Sequence, residues 1–290
     1  MLPLGPGNVM FLQFIAPRGF PTNRESTVTL KIVHIHGFKC AGTTFSSTLA
    51  ANFDDRFRCM EPKSSPKLNW ESARLQSDQL GLGAISSHSL RVPAEILPHL
   101  QFVHLIREPT ARLLSAWNFE VAVQKRFEGP FSSYLDARKH NSNHQSRFLL
   151  QPSVIQKFDL TDRHNAFLNY FKHRPNLFLG VVDRYDESMT VLEQLLRQKS
   201  INIDLSYSIP LNQKRESAVE MTPDVATPAD FVNVDEVLYQ LANKRLDLYI
   251  SLYPDFVSLL HNFRARCKLS LKSKQRLMPQ IQNENWLFID

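Results

Sequence analysis

The chain has few cysteines and no long apolar run, and each shortage excludes a class of protein. Three cysteines in 290 residues, Cys40, Cys59 and Cys267, are too few and too scattered for a disulfide framework or a zinc site, so we expect a reducing compartment. The apolar stretch VMFLQFIA at 9–16 is too short to span a bilayer, and no lysine or arginine precedes it. We therefore expect no transmembrane segment and interpret residues 1–26 as a mobile or surface-packed arm, with a signal peptide as the alternative.

The charge balance also lacks a large excess of either sign. The formal net charge is +6 at pH 7, a modest surplus that suits anionic ligands such as nucleotides, acidic glycans or nucleic acid. With 43% hydrophobic residues, the chain is long enough to bury the core of one large domain.

Segments rich in β-branched and apolar residues alternate along the chain with segments of helical periodicity. The strand candidates are 27–37, 82–88, 100–108 and 176–185, and the helical candidates are 43–53, 109–123, 187–198 and 233–262. This alternation predicts an α/β fold with a parallel sheet flanked by helices. We place one domain at 27–265 and a basic C-terminal tail at 266–290. The polar segment 54–80 is predicted to be irregular, with a surface excursion, and 120–175 is left unassigned.

The stretch HIHGFKCAGTTF, residues 34–45, has the glycine spacing of a phosphate-binding loop but lacks the usual lysine. Gly37 and Gly42 stand five positions apart, as in a Walker loop, yet Thr43 follows Gly42 where that loop has lysine. The lysine is Lys39, inside the loop. Backbone N–H groups of residues 40–45 can still surround a phosphate, and we expect Thr43 and Thr44 to cap the following helix and bind phosphate oxygens.

A Walker-type magnesium site also lacks its acidic partner. The apolar strand FVHLIRE ends in Arg107 where such a site would have aspartate. An arginine at the carboxyl end of a strand lies at the edge where α/β proteins bind ligands, and Ser115 follows about two turns into the next predicted helix. Arginine and hydroxyl together predict a second phosphate site, so the ligand would be a nucleotide with phosphates at two separate positions.

Together the two segments resemble the paired signature of sulfotransferases that use 3′-phosphoadenosine 5′-phosphosulfate (PAPS). The resemblance is closest to the glycan class, the heparan sulfate 2-O- and 6-O-sulfotransferases and their bacterial relatives, and covers about residues 30–216. In that family the first loop holds the 5′-phosphosulfate and the second holds the 3′-phosphate. The matching positions are Lys39, Gly42, Thr43 and Thr44 in the first segment and Arg107, Glu108, Pro109, Arg112 and Ser115 in the second. Phe38 departs from the pattern, because the family usually has proline there.

The resemblance implies a P-loop-NTPase-like fold and sulfuryl transfer from PAPS to an acceptor hydroxyl on a saccharide. The other product would be adenosine 3′,5′-bisphosphate (PAP). It implies no required metal and no nucleic-acid partner. Lys39 would neutralise the 5′-phosphate and the bridging oxygen, and the loop residues Cys40, Ala41, Gly42, Thr43 and Thr44 would surround the phosphosulfate. His88, at the end of the strand 82–88, would be the catalytic base, with a structural histidine as the alternative. Lys214 and Arg215 would either close over the cofactor phosphates or form a solvated basic pair.

Several other residues have both a structural and a functional interpretation on the sequence alone. His34 and His36 form a metal-like pair on one face of a strand, but no third ligand follows at suitable spacing, so we predict no metal site. His104 is interpreted as a core histidine, and Arg112 is expected to pair with Glu108. In NHQSRFLL (143–150), Gln145 and Arg147 would touch acceptor or nucleotide, or the segment would be a helix that packs Phe148 and Leu149 inward.

Two other functions stay open on the sequence. One is an NTP-dependent P-loop phosphotransferase, which would bind ATP with magnesium. The other is a non-catalytic relative that binds nucleotide or glycan. Animal glycan sulfotransferases carry an N-terminal Golgi anchor, and we see none here, so the expected location is a bacterial cytoplasm, with the Golgi lumen as the alternative if the N-terminus is incomplete.

Overall fold

Six parallel strands form one sheet in the computed structural model, which describes residues 30–65, 67–150, 160–207, 222–273 and 285–289. The strands are β1 (Ile32–Ile35), β2 (Phe57–Pro62), β3 (Ala84–Ser87), β4 (Gln101–Ile106), β5 (Leu177–Val181) and β6 (Trp286–Ile289). Their order across the sheet is β5-β4-β1-β3-β2-β6. The arm 1–26, Lys214 and Arg215 lie outside the described residues.

Helices connect and cover these strands. The described α-helices are α1 (Gly42–Phe53), α2 (Trp70–Gln79), α3 (Pro109–Phe119), α4 (Phe131–Ala137), α5 (Leu160–Lys172), α6 (Tyr185–Gln198), α7 (Ala229–Ser251) and α8 (Phe256–Ser273). α1 packs on β2 and β3, while α6 and α7 pack on β5. The predicted α/β fold with a parallel sheet flanked by helices is confirmed. No described helix combines the length and the apolar character needed to cross a bilayer.

Four of the six strands are buried because both of their faces are covered. Every residue of β1, β3, β4 and β5 is buried, as expected for a parallel sheet with helices on it. β1 lies between β3 and β4, and its last residue, Ile35, is in register with Ser87 and with His104. The segments that follow β1, β3 and β4 therefore leave the sheet at the same edge.

Two segments differ from the sequence-based expectation. The stretch 54–80 was predicted to be irregular, but it contains β2 and α2, and the buried side chains of Phe57, Cys59 and Met60 explain why this polar segment forms a strand. The helical block predicted at 233–262 is two helices, since α7 ends at Ser251 and the chain turns through Pro254 before α8.

The C-terminal segment also contributes to the sheet. α8 continues to Ser273, and β6 pairs in parallel with β2, with Cys59 opposite Trp286 and Pro62 opposite Ile289. The stretch 266–290, which the sequence sets apart as a basic tail, therefore supplies one edge strand.

A buried ion pair joins α6 to α8. The Glu193 side chain is 1% exposed and accepts hydrogen bonds from Nη1 of Arg266 at 3.0 Å and from Nη2 at 2.7 Å. The backbone N–H of Leu205 also donates to Glu193, at 2.7 Å. The carboxylate thus holds α8 and the segment after α6 together, and Arg266 is its nearest cation, since Nη2 of Arg197 lies farther away at 3.8 Å.

We predict that Arg266→Ala lowers the free energy of unfolding by about 3 kcal/mol, the lower end of the range for breaking a buried ion pair. The lower end applies because the Arg266 side chain is 33% exposed. Arg264→Ala is the matched control two positions away, since its side chain is 53% exposed and its pair with Asp186 should contribute less than about 1 kcal/mol. Denaturant unfolding at pH 7 measures both, and equal losses would contradict the prediction.

Candidate active site

The loop between β1 and α1 has an unusual backbone that turns it tightly into the helix. Lys39 and Ala41 have positive φ angles of 64° and 56°, and Ala41 is the N-cap of α1. Gly42 is required by a close approach, because a Cβ atom there would lie 1.9 Å from Cδ2 of His36. The first-turn N–H groups of α1, which have no acceptor within the helix, therefore face the region beyond the end of β1.

Thr43 and Thr44 lie two and three positions past the N-cap and therefore cannot cap this helix. The cap residue is Ala41, with no side-chain hydrogen bond, and Thr43 and Thr44 are inside the first turn. The predicted capping role is therefore wrong. Their backbone N–H groups belong to the helix N-terminus, where partial positive charge favours an anion.

The loop and the second segment meet at the edge of the sheet. Nη1 of Arg107 donates to the carbonyl oxygen of Lys39 at 3.4 Å. Nζ of Lys39 lies 4.0 Å from the ring centroid of Phe119, which also packs edge-to-face against Phe38 at 5.8 Å. Two cationic side chains from different strand ends are thus brought into one site.

The helix that follows Arg107 begins as the sequence predicts. Pro109 is its first residue, and the Glu108 side chain caps it by accepting from the backbone N–H groups of Thr110 at 2.9 Å and Ala111 at 2.6 Å. The predicted Arg112–Glu108 ion pair does not form among the described residues. Arg112 is instead buried, and its Nε has no hydrogen-bond partner. Ser115 is half-buried in α3, about two turns after its start.

His88 follows β3 at this edge and has a defined tautomer. Its Nδ1 lies 3.0 Å from the carbonyl oxygen of His36, which can only accept, so Nδ1 carries the hydrogen and Nε2 has the free lone pair. Glu61, at the end of β2, accepts from the backbone N–H of His88 at 2.6 Å. His88 is at an exposed position, and its ring packs on the ring of His36 with centroids 3.8 Å apart.

Partial burial lowers the pKa of His88, although the negative charge of Glu61 and the hydrogen bond to His36 act in the opposite direction. The balance is a pKa below the ordinary 6.5 of histidine. At neutral pH the imidazole is therefore mostly uncharged, with Nε2 able to accept a proton.

A row of histidines extends from His88 into the core. His34 stacks on His36 with centroids 5.1 Å apart, and Nδ1 of His34 contacts the hydroxyls of Ser86 at 2.9 Å and Ser46 at 3.2 Å. Burial lowers the pKa values of His34 and His36 well below 6.5. The part of the chain that the structure describes contains no group of three or more His, Cys, Asp or Glu residues suited to a metal ion.

The core histidine of β4 is buried as predicted, and both of its ring nitrogens face carbonyl oxygens, of which a neutral imidazole can donate to only one. Nδ1 of His104 contacts the carbonyl oxygen of Ile35 at 3.0 Å, and Nε2 contacts the carbonyl oxygen of Gln145 at 3.3 Å. Gln145 and Arg147 belong to a short segment in which residues 146–148 form one 3-10 turn, with Leu149 buried. Gln145 is fully buried against Arg107 and Cys40, and Arg147 donates to the carbonyl oxygen of His140.

A cleft of about 360 Å³ opens next to the loop. Its lining residues are Ala41, Thr44, Tyr207, Arg264 and residues 182–187, which follow β5 and begin α6. Asp186 accepts from the hydroxyl of Tyr207 at 2.7 Å and from Nε of Arg264 at 2.9 Å. The hydroxyl of Tyr185 is buried without a hydrogen-bond partner. The cleft has the size and the mixed apolar and polar walls of a small-molecule site.

The chain is similar to two known proteins, each at low sequence identity. No family model matches the chain. An uncharacterized protein of Archaeoglobus fulgidus is 25% identical over 213 aligned positions, which cover 63% of this chain and 83% of that protein. A solved sulfotransferase from Alicyclobacillus acidocaldarius is similar with a TM-score of 0.40 and 12% identity, over 77% of this chain and 96% of that one.

Sequence reasoning did not find several residues that the structure brings to this edge. Glu61 was missed because β2 was not predicted, and its position at the end of a strand would have been the signal. Tyr185 and Arg264 line the cleft from opposite ends of a long sequence interval, and no local pattern in the sequence connects them.

Because burial lowers the pKa values of several histidines, we expect the protein to lose stability in weak acid. Burial lowers the pKa of His144 to about 3, whereas the unfolded chain binds a proton near pH 6.5. Its stabilising contribution is therefore complete above pH 6.5 and is lost as the pH falls below it. Between pH 7.5 and 5.5 the loss should be roughly 1.4 kcal/mol for each such histidine.

His144→Gln should accordingly reduce the difference in unfolding free energy between pH 7.5 and pH 5.5 by about 1.4 kcal/mol. His261→Gln, at an exposed position of α8, is the control and should leave the difference unchanged. Denaturant titrations at the two pH values measure the effect. A pH dependence of His144→Gln identical to that of the wild type would show that His144 accepts a proton in the folded state.

Proposed function

We propose that this protein is a sulfotransferase that transfers a sulfuryl group from PAPS to a hydroxyl of a saccharide. One observation carries the proposal: the lysine-bearing loop after β1 and Arg107 after β4 contact each other at the edge where His88 also lies. A donor with a 5′-phosphosulfate and a 3′-phosphate needs two anion sites at a fixed separation. The resemblance of both segments to the PAPS signature supports the same donor.

The N-terminus of α1 is the site for the 5′-phosphosulfate. Its first-turn N–H groups include those of Gly42 and Thr43, and Lys39 adds a full positive charge. Arg107 and Ser115 are the groups for the 3′-phosphate, since a guanidinium pairs well with phosphate oxygens. The cleft of about 360 Å³ beside Ala41 and Thr44 is next to the first of these sites and has room for the adenosine.

The transfer breaks the bond between sulfur and the bridging oxygen and forms a bond between sulfur and the acceptor oxygen. Nε2 of His88 accepts the proton of the attacking hydroxyl, because Nδ1 is already protonated and bonded to the carbonyl of His36. The electron pair of the broken bond stays on PAP, and Lys39 with the N–H groups of α1 stabilises the developing negative charge. The products are PAP and the sulfated acceptor.

The first prediction from this function concerns the two phosphates of PAP. Arg107→Ala should weaken the binding of PAP by roughly 1.5–3 kcal/mol, which is the contribution of a hydrogen bond to a charged group. The affinity for ADP, which has no 3′-phosphate, should change little. Arg74→Ala on the surface of α2 is the control, because that arginine pairs only with Glu71 and Asp78 among the described ion pairs. Isothermal titration calorimetry measures all of these affinities.

Equal weakening of PAP and ADP by Arg107→Ala would contradict the assignment of the 3′-phosphate site. The alternatives predict other results with the wild-type protein. An NTP-dependent phosphotransferase would bind ATP better than PAP and would require magnesium. A non-catalytic relative would bind PAP without turnover of PAPS.

The second prediction concerns the base. His88→Ala should keep its affinity for PAP and lose transfer activity by about 10²–10⁴-fold, the usual contribution of a general base. In the wild type the rate should rise with pH through a group that titrates below 6.5, because partial burial lowers the pKa of His88. This rise of the rate with pH should be absent from His88→Ala.

His173→Ala, at an exposed position after α5, is the control and should keep the wild-type profile of rate against pH. A His88→Ala variant with nearly full activity would show that another residue is the base, and His36 would be the first to test.

A further inference from the structure

The side chain of Gln145 joins the two anion sites through a set of hydrogen bonds that the transfer step does not use. Oε1 accepts from the backbone N–H of Arg107 at 2.8 Å, and Nε2 donates to the carbonyl oxygen of Arg107 at 2.9 Å. Oε1 also accepts from Sγ of Cys40, in the lysine-bearing loop, at 3.3 Å. One buried amide therefore contacts both the loop after β1 and the end of β4.

These contacts make Gln145 a substitute for a neighbouring strand. Its amide bonds the N–H and the C=O of the same residue, as a paired strand does, and so continues the ordered backbone of β4 beyond Ile106 to Arg107. Burial raises the pKa of the Cys40 thiol to about 12, so the sulfur stays protonated and can donate to Oε1. The backbone of Arg107 and the loop are thus held at one separation.

Gln145 is itself fixed from α7. Asp235, which is 1% exposed, accepts from the backbone N–H groups of Gln145 at 3.0 Å and Ser146 at 2.8 Å. Asn143 contributes from the same segment, since its Oδ1 accepts from the backbone N–H of Val234 at 2.8 Å. The buried Arg112 acts on the charge of Asp235, which offsets part of the cost of burying that carboxylate.

Building on the proposed function, we propose that Gln145 is a positioning residue that sets the distance between the 5′-phosphosulfate site and the 3′-phosphate site. It does not touch the ligand, because the residue has no exposed surface and its amide atoms are already bonded to Arg107 and Cys40. An amide is required, since the side chain must accept from one backbone group and donate to another. Methionine offers neither, and an ionised glutamate cannot donate.

A double-mutant cycle tests this role. Gln145→Met should raise the Kd of PAP by about tenfold, which corresponds to the loss of about one charge-assisted hydrogen bond. The Kd of ADP should rise less. Because Gln145 acts through Arg107, most of that loss should disappear when Gln145→Met is made in the Arg107→Ala background. Gln240→Met on α7 is the control and should leave PAP affinity unchanged, because Gln240 bonds to Glu236 on the surface.

The outcomes separate this inference from the proposed function. Equal weakening of PAP and ADP binding by Arg107→Ala would contradict the 3′-phosphate site on which the proposed function depends. Suppose that Arg107→Ala weakens PAP binding more than ADP binding, but Gln145→Met has no effect on PAP binding or an effect that simply adds to that of Arg107→Ala. That result would contradict only the role of Gln145. If Gln145→Met does not fold, Gln145→Asn enters the same cycle, since it keeps the amide but shortens the side chain by one methylene and so withdraws the amide from the Arg107 backbone.

Discussion

The parallel pairing of β1 with β3 and β4 is the constraint on which the rest of the candidate site depends. Register places Ile35 beside Ser87 on one side and His104 on the other, so the chain leaves all three strands at one edge. The lysine-bearing loop, His88 and Arg107 come from distant parts of the sequence and meet because parallel strands end together. A change of register by one residue would turn these side chains to the opposite face of the sheet.

Close packing around the loop then determines its chemistry. The ring of His36 lies against Gly42, where any side chain would collide, and this contact keeps the N-terminus of α1 near the end of β1. The carbonyl of His36 fixes the tautomer of His88, so the same residue shapes the loop and prepares the proposed base. Burial keeps His34 and His36 neutral near neutral pH, and the pKa of the more exposed His88 is also lowered, which leaves the positive charge of the site to Lys39, Arg107 and the helix terminus.

Segments outside the two signature stretches hold this arrangement in place. Gln145 bonds the backbone of Arg107 and the thiol of Cys40, and Asp235 of α7 bonds the backbone of Gln145. Hydrogen bonds between groups removed from water are strong, and in this amide Oε1 accepts two of them while Nε2 donates one to Arg107. The site is therefore a product of the sheet edge together with a buried polar network behind it.

The sequence by itself determined the α/β class, the central strands and the helix that begins at Pro109, because these depend on local periodicity, proline geometry and strongly apolar runs. It also indicated Lys39, Arg107 and His88 as site residues, since each lies at or just after the end of a predicted strand and the resemblance to the PAPS signature gives each a role. Only the tertiary structure decided that β2 and β6 join the sheet, that Gln145 is buried behind Arg107, and that Arg264 borders the cleft. These outcomes depend on contacts between residues far apart in the chain, and a local pattern carries no information about which distant partner compensates a buried amide or charge.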